Sequence, residues 1–441
     1  MANGKERTLP LDSFLFPRIF QAFRMSIQPT KLIIALCALA IICLTGWIMD
    51  LASRSVVIVN PAGATELNLY AARVLDPDAR SVPFMDTGRR TGVFATLWTF
   101  GAERLHAAVR SLFQPDIDDV IMNIVACFVA LVWAFRYHIV YSLIFFAVVL
   151  AVLSVAGGAI CRIAALQFAG AEKPGLRQAV RFGLRKFTAF FCAPLTPMII
   201  ILVIGAIIIL LGAWGNIPYV GELTVGLLLP LAFAVAILIT IIAIGIVGGC
   251  SLMFPTIAYE DSDCFDSISR SFSYVYNKPW RMGLCVVIAF VYGAICYLFV
   301  RFFSFLVLWT THAFLQLGFA YQNRKLHAIW PEPAFTDFFG AGVAAPPNWS
   351  TSISSALIYF WVLVVIGLVV SSVISFYFSA STIIYALMRN RVDFIPLEEV
   401  YVYSPQEPAE APPAEAKTEE APSGAEPQAP EEPDKKQETS E

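Results

Sequence analysis

The sequence predicts an all-α polytopic transmembrane helical bundle with six or seven spans. Hydrophobic residues make up 58% of the 441 positions and charged residues 14%, whereas a soluble domain has about 45–50% apolar and about 25% charged residues. The apolar residues fall in runs near the roughly 20 residues that a membrane-crossing helix needs. In addition, a unit of long apolar helix, short polar helix and long apolar helix occurs twice in the stretch that ends at Arg301.

The N-terminal third alternates between surface and membrane segments. Residues 1–31 carry five basic residues and a phenylalanine-rich helical face, which predicts a cytoplasmic interfacial segment. Residues 32–49 form the first predicted transmembrane helix. The proline-containing stretch 50–119 is predicted to be an extramembrane loop, in which residues 92–113 form an amphipathic helix.

The remaining chain divides into a membrane core and its extensions. Residues 120–301 form the predicted core with the two repeats, 302–355 an aromatic interfacial segment and loop, and 356–400 the last transmembrane helix and its extension. The first core run, 120–135, has only 16 residues, so it is short for a full crossing. We predict six spans if this run does not cross and seven if it does, and we favour six because both termini then lie on one side.

The last segment, 401–441, is acidic and rich in Pro, Glu and Ala. Positions 404–441 hold eleven Asp/Glu and three Lys, a charge of −8, which leaves +5 on the rest of a chain whose net charge is −3. Such a composition buries too little apolar surface to offset the entropy of ordering, so we predict a disordered tail. The tail offers a candidate contact for a protein partner.

Each predicted repeat has a long helix that ends at a Gly pair, Gly157-Gly158 or Gly248-Gly249, followed by a polar helix. The spacing of apolar residues predicts one apolar face on each polar helix, and in the first repeat this face can lie in the headgroup layer of the membrane. In the first repeat these residues are Leu176, Val180, Leu184 and Phe187, and in the second Phe265, Ile268, Phe272 and Tyr276. An offset of 92 aligns Leu176 with Ile268, Val180 with Phe272, and Leu184 with Tyr276.

Arg177, Arg181 and Arg185 recur every four residues beside that first apolar face, next to Lys186. Guanidinium groups at phosphate depth form paired hydrogen bonds with phosphate, so this helix is a candidate contact for anionic lipid headgroups. The alternative is a topology anchor, because short cytoplasmic loops collect Lys and Arg. By the same rule we predict the cytoplasmic membrane as the location, with both polar helices and the C-terminal tail facing the cytoplasm.

Glu260, Asp261, Asp263 and Asp266 place four carboxylates within seven residues at a predicted membrane edge. Oxygen ligands of this kind suit Mg²⁺ or Ca²⁺. The simpler interpretation, which we prefer, is helix capping and surface solvation without a metal. We expect no cofactor and no nucleic-acid partner, since the sequence contains no P-loop, dinucleotide fingerprint or zinc-protease motif.

Gly367, Ser371, Ser375 and Ser379 follow one another at four-residue spacing in the last span. A stripe of small residues lets a second helix approach closely, which predicts helix packing. A polar lining for a conduction path is the alternative.

Several short segments resemble the sequences of a group of uncharacterised polytopic membrane proteins of planctomycete-type bacteria. These segments are residues 157–165, 193–195, 265–275 and 384–389. The resemblance covers about residues 15–400 and implies a location and a fold, but no reaction. More loosely, the architecture is similar to the membrane domain attached to some glycerophosphodiester phosphodiesterases. The hydrolase domain is missing here, so the resemblance does not imply that activity.

Three functional hypotheses follow. The first is a non-enzymatic accessory, scaffold or lipid-contacting membrane protein. The second is a transporter or channel for an uncharged or lipidic substrate between the repeats. The third, least favoured, is a metal-dependent membrane enzyme that uses the four carboxylates.

Overall fold

The computed structural model describes residues 16–53, 56–60, 63–75, 89–113, 117–170, 174–319, 326–327, 329–335, 338 and 348–401. These described residues are 86% helical, with 12 helices and almost no strand. This confirms the predicted all-α helical bundle. The acidic tail from residue 402 onward lies outside the described residues, so its predicted disorder stays a prediction.

The N-terminal helices include the first long apolar one. A 3₁₀ turn at Phe16–Phe20 precedes α1 (Gln21–Ser26), α2 (Pro29–Ala52), α3 (Glu66–Leu75), α4 (Val93–Phe113) and α5 (Ile117–Tyr137). A two-residue strand, β1 (Val57–Ile58), pairs antiparallel with β2 (Arg90–Thr91). The described part of the stretch predicted as loop 50–119 therefore contains α3 and α4, besides the end of α2 and the start of α5.

Among the later helices that the structure describes, five have 28 or more residues and two are short and polar. They are α6 (Ile139–Phe168), α7 (Leu176–Arg185), α8 (Phe187–Trp214), α9 (Val220–Glu260), α10 (Cys264–Asn277), α11 (Pro279–Gly318) and α12 (Trp349–Val392). Within the described residues, seven helices are long and apolar enough to cross a membrane: α2, α5, α6, α8, α9, α11 and α12. The run 120–135 thus belongs to a helix of 21 residues rather than 16.

The predicted end of each long helix at a Gly pair is wrong. α6 continues to Phe168 and α9 to Glu260. The glycines instead make room for neighbouring helices, since a Cβ at Gly157 would lie 2.5 Å from the Phe378 ring and one at Gly248 would lie 2.8 Å from Val275. Helix interiors accept glycine at a modest cost, so a Gly pair does not by itself end a helix.

The order long helix, short helix, long helix occurs twice, as α6–α7–α8 and α9–α10–α11. The predicted apolar faces of the short helices are partly exposed: Leu184 is 58% exposed and Phe265 70% exposed, whereas Val180 and Phe272 pack against the core. The buried residues lie on the neighbouring side of each helix. They are Ala179, Phe182 and Gly183 in α7 and Ser271, Tyr274 and Val275 in α10. These triplets also align at an offset of 92, so the repeat is a repeat of packing as well as of sequence.

The best-packed region is formed by the C-terminal parts of three long helices. Residues 156–166 of α6, 252–259 of α9 and 378–389 of α12 are buried without interruption, on all sides of each helix. In contrast, the most apolar window of α9 contains no buried residue. The helices therefore meet in a solid body at one end and expose apolar surface along their spans, as lipid-facing helices do.

Two ends of the bundle can be defined by their polar contacts. At the charged end, where Lys31, Arg162, Glu260 and Arg389 lie, Lys31 of α2 donates to Gln167 at the end of α6 (3.3 Å). At the far end, Asp50 accepts a hydrogen bond from Tyr141 near the start of α6 (2.7 Å). The chain between Asp50 and Tyr141, including α3, α4 and α5, therefore leaves and rejoins the bundle at the same end.

Candidate functional site

The charged end owes its shape to the way α7 packs on α6. Gly183 is essential for this approach, because a Cβ there would lie 2.4 Å from the backbone oxygen of Val155. Ala179 is fully buried on the same side of α7, and Phe182 is 9% exposed. Small side chains let two helix backbones come close, so α7 lies flat against the preceding helix.

The opposite side of α7 carries exposed apolar and basic residues next to one another. Leu176 is 40% exposed and Leu184 58% exposed, and the flanking Arg177 and Arg181 are exposed as well. Because leucines on a water-facing helix would ordinarily be buried against a neighbour, this pairing is typical of a helix in the headgroup layer of a membrane.

Arg185 and Lys186 also pair with a carboxylate of the protein. Arg185 Nη2 lies 3.3 Å from Asp261 Oδ1, and Lys186 Nζ lies 3.4 Å from the same oxygen. Lys186 Nζ also donates to the backbone oxygen of Asp261 (2.6 Å). Asp261 has φ of 54°, a left-handed conformation that Asp tolerates better than most residues. These contacts fasten the end of α7 to the end of α9.

Glu260, the last residue of α9, is the centre of a second polar cluster. Its carboxylate contacts Arg270 of α10 (2.5 Å) and Arg389 of α12 (3.2 Å), and it accepts a hydrogen bond from Tyr385 (2.6 Å). The Glu260 side chain is only 11% exposed. A buried carboxylate requires partners of this kind, because an unpaired charge out of water is costly. We call Glu260, Arg270, Tyr385 and Arg389 the Glu260 cluster.

Asp266 and Tyr274 extend the Glu260 cluster along α10. Asp266 binds Arg270 Nε with both oxygens at 3.0 Å. Burial would lower the pKa of Arg270, but the hydrogen bond with Asp266 and the charge of Glu260 raise it above its usual value. Burial and a hydrogen bond to Asp393 raise the pKa of Tyr274. Both groups therefore keep their ordinary protonation state near neutral pH.

Arg162 joins the first repeat to the segment that follows α12. Its guanidinium donates to the backbone oxygens of Ala258 (2.8 Å) and Tyr401 (2.7 Å) and lies over the Phe182 ring at 4.9 Å. Tyr401 N in turn donates to the backbone oxygen of Tyr259 (3.0 Å). Residues 393–401 thus run back along the ends of α9 and α6.

The predicted metal ligands do not converge. Glu260 and Asp261 contact arginine and lysine, as described above, and Asp266 pairs with Arg270. Asp263 occupies the N-cap position of α10 but makes no side-chain cap hydrogen bond. Among the described residues there is no group of three or more His, Cys, Asp or Glu that could hold a metal ion.

The small-residue stripe of α12 lies against the N-terminal helices. Ser375 Oγ donates to the backbone oxygen of Ser26 (2.8 Å), and Ser379 Oγ accepts from Lys31 Nζ (3.4 Å). A Cβ on Gly367 would lie 3.0 Å from a methyl of Leu36. Ser371, also fully buried, donates to the backbone oxygen of Gly367 (2.6 Å).

Sequence reasoning missed Arg162, Arg270, Tyr385 and the buried Lys31 as members of these clusters. The available signal was a charged residue inside a long apolar helix, because such residues pair or mark a pathway. It was overlooked because the long helices were predicted to end at Gly157-Gly158 and Gly248-Gly249, before Arg162 and Glu260.

The seven long apolar helices and the charged end together define a class: a multi-pass helical membrane protein with networks of ion pairs at one end. No family model, curated protein or solved structure matches the chain. The resemblance to planctomycete-type membrane proteins therefore stays a prediction.

Proposed function

We propose that the protein is a non-enzymatic component of the cytoplasmic membrane whose helix α7 contacts anionic lipid headgroups. The observation that carries this proposal is the exposed side of α7, where Leu176 and Leu184 lie beside Arg177 and Arg181. Leucines at the headgroup–acyl boundary and guanidinium groups at phosphate depth both gain by facing an anionic bilayer.

The four predicted headgroup contacts then have unequal roles. Arg177 and Arg181 are exposed and carry most of the lipid contact. Arg185 and Lys186 contact Asp261, so they hold α7 in place and contribute less to the affinity. The second repeat has Ser269 and Ser273 at the positions that align with Arg177 and Arg181. The proposed headgroup preference therefore belongs to the first repeat.

The packing of the ends supports a topology of six crossings. The chain between Asp50 and Tyr141 begins and ends at the far end, so α4 and α5 either both cross or both remain there. α5 is a candidate span, and α4 is not among the candidates. We therefore propose crossings by α2, α6, α8, α9, α11 and α12, with the charged end and both termini on the cytoplasmic side.

The experiment uses the full chain in nanodiscs made from a mixture of anionic and zwitterionic phospholipid. The anionic fraction retained around wild type is compared with that around the double variant Arg177→Gln/Arg181→Gln. We expect the variant to retain less anionic lipid, by about the 1 kcal/mol per residue that a basic side chain gains near an anionic surface. The matched control is Arg136→Gln, since Arg136 is exposed at the end of α5.

Equal retention of anionic lipid by wild type and the double variant would refute the headgroup proposal. A transporter or channel and a metal-dependent enzyme, the alternatives predicted from the sequence, stay untested predictions.

A further inference from the structure

α5 buries only one narrow side of its surface. The buried residues belong to a small core shared with α3 and α4: Ala126, Ala130, Trp133 and Ala134. Most of the remaining surface is exposed and apolar, and between Val120 and Phe135 the sequence contains no Asp, Glu, Lys or Arg. Five large apolar side chains on this surface are 42–64% exposed, namely Ile121, Met122, Phe128, Val132 and Phe135. We call these five residues the α5 apolar face.

α4 and α5 pack on each other as a hairpin, and its charged residues lie away from the α5 apolar face. On α5 they are confined to the first turn and the last turn. On α4, Thr99, Glu103, His106 and Arg110 follow one another at spacings of four, three and four residues, and all four are exposed. This spacing defines one polar side of α4. The hairpin therefore combines an apolar helix with a helix that has a polar side.

The α5 apolar face is continuous with the lipid-facing surface of α6. Phe135, at the end of this face, stacks on Phe146 of α6 with ring centroids 5.2 Å apart. Ile139 and Leu143 share that side of α6 with Phe146, at spacings of four and three residues, and are 64% and 66% exposed. A membrane-spanning helix exposes apolar side chains in this way to acyl chains. Because the two surfaces join at Phe135 and Phe146, the lipid that covers α6 also reaches α5.

The hairpin is held at the far end of the bundle, and its charges do not suit a crossing. Asp50 accepts hydrogen bonds from the backbone N–H groups of Phe94 and Ala95, both at 2.9 Å, so α4 begins at that end. Glu103 lies near the middle of the 21 residues of α4 and is exposed. In a crossing hairpin this carboxylate would lie near the centre of the bilayer and face acyl chains. Ionised side chains are costly there and normally turn toward the interior of a bundle.

We propose that α5 lies in the plane of the outer leaflet, which borders the far end, with the α5 apolar face among the acyl chains and the polar side of α4 in water. The inference rests on the proposed six crossings and adds a second membrane contact at the end opposite to α7. Burial of apolar surface drives this contact. It therefore takes phospholipid irrespective of headgroup charge, whereas α7 responds to that charge.

The test measures the depth of spin labels on the full chain in phosphatidylcholine nanodiscs. Nitroxides are attached to Ile121→Cys, Phe128→Cys and Val132→Cys, one label per protein, after replacement of the native cysteines. Power saturation with oxygen and with a water-soluble nickel chelate gives the depth of each label. We expect all three labels at one depth, about 5–10 Å below the phosphates, as for a helix that lies in the interface.

Thr99→Cys and Glu103→Cys are the matched controls, because both positions are exposed on the polar side of α4. Their labels should be accessible to the nickel chelate. All five labelled positions are exposed, so each variant should keep the unfolding midpoint of the cysteine-free protein. The depths on α5 should stay the same when phosphatidylglycerol is added, because burial of apolar surface does not depend on headgroup charge.

Depths that change steadily along α5, by about 16 Å between positions 121 and 132 at the rise of an α-helix, would mean that α5 crosses. That result would overturn both this inference and the six crossings. Access of the nickel chelate to position 128 would overturn the inference alone, because α5 would then face water. Spin–spin broadening in singly labelled protein would also overturn it alone, because a second copy of the chain would then cover α5. A failure of α7 to retain anionic lipid would leave these depths unchanged, so the two lipid contacts can fail separately.

Discussion

Glu260 Oε1 lies 3.2 Å from Arg389 Nε, and this contact joins the last residue of α9 to the last turns of α12. Both side chains are about one-tenth exposed, at 11% and 9%. The second oxygen of Glu260 contacts Arg270 on α10. One carboxylate therefore connects three helices: α9 and α10, which belong to the second repeat, and α12.

Glu260→Gln should destabilise the charged end more than any single change of an exposed acid. Two arginines would lose their shared countercharge, and removal of one partner from a buried pair typically costs about 3–5 kcal/mol. The measurement is thermal unfolding of the detergent-solubilised protein. The control, Asp266→Asn, removes a carboxylate that is 45% exposed, and the loss should stay below about 1 kcal/mol. Equal losses in the two variants would contradict this assignment.

Arg162→Lys should release residues 393–401 while the bundle stays folded. A lysine ammonium cannot reproduce the fork with which Arg162 reaches the backbone oxygens of Ala258 and Tyr401 together. We expect a protease to cleave this segment about tenfold faster in the variant, in line with the loss of one charged hydrogen bond. Arg177→Lys is the control, since Arg177 is exposed, and it should leave the cleavage rate unchanged. The assignment is wrong if both variants resist cleavage equally.

The fold class could be predicted because length and apolar composition of the runs are enough to identify membrane helices. The ends of the helices could not be predicted in the same way. The Gly pairs were interpreted as helix ends, but α6 and α9 continue beyond them into the best-packed region of the structure. A helix continues as long as its backbone hydrogen bonds and its packing are satisfied, and hydropathy does not report either.

The candidate site shows the same limit. The basic and acidic stretches were visible in the sequence, and their surroundings were not. Apolar spacing at Leu176, Val180 and Leu184 predicted the apolar face of α7. It did not indicate that α7 packs on α6 through Ala179 and Gly183, because close approach of two backbones favours small side chains, which carry little hydropathy signal.

The stability of the far end should fall as the pH falls below about 6.5, the usual pKa of histidine. His138, between α5 and α6, has a lowered pKa because burial outweighs the opposing charge of Glu66. The unfolded chain therefore binds this proton first, so stability is fully present above the unfolded pKa and is lost as the pH decreases. The midpoint of thermal unfolding should decrease between pH 7.5 and 5.5.

The variant His138→Gln should remove part of that pH dependence, because glutamine cannot gain a proton. His106→Gln serves as the control, since His106 is exposed on α4. If the midpoint of thermal unfolding decreases equally in wild type and His138→Gln between pH 7.5 and 5.5, groups other than His138 cause the decrease.

Labelling of introduced cysteines in sealed vesicles should show six crossings. An impermeant thiol reagent should reach Asp118→Cys, at the start of α5, from the same side as Asn216→Cys, in the turn between α8 and α9, and from the side opposite to Arg177→Cys. All three positions are exposed, and the native cysteines are replaced beforehand. Because the chain enters and leaves the α3–α5 region at the far end, labelling of Asp118→Cys on the Arg177 side would mean that α4 and α5 both cross and would refute six. Tags on the two termini should be cleaved by protease from the same side, since any even number of crossings places both termini on one side of the membrane. Cleavage from opposite sides would contradict the position of the start of α2 and the end of α12 at the charged end, from which the number of crossings was derived.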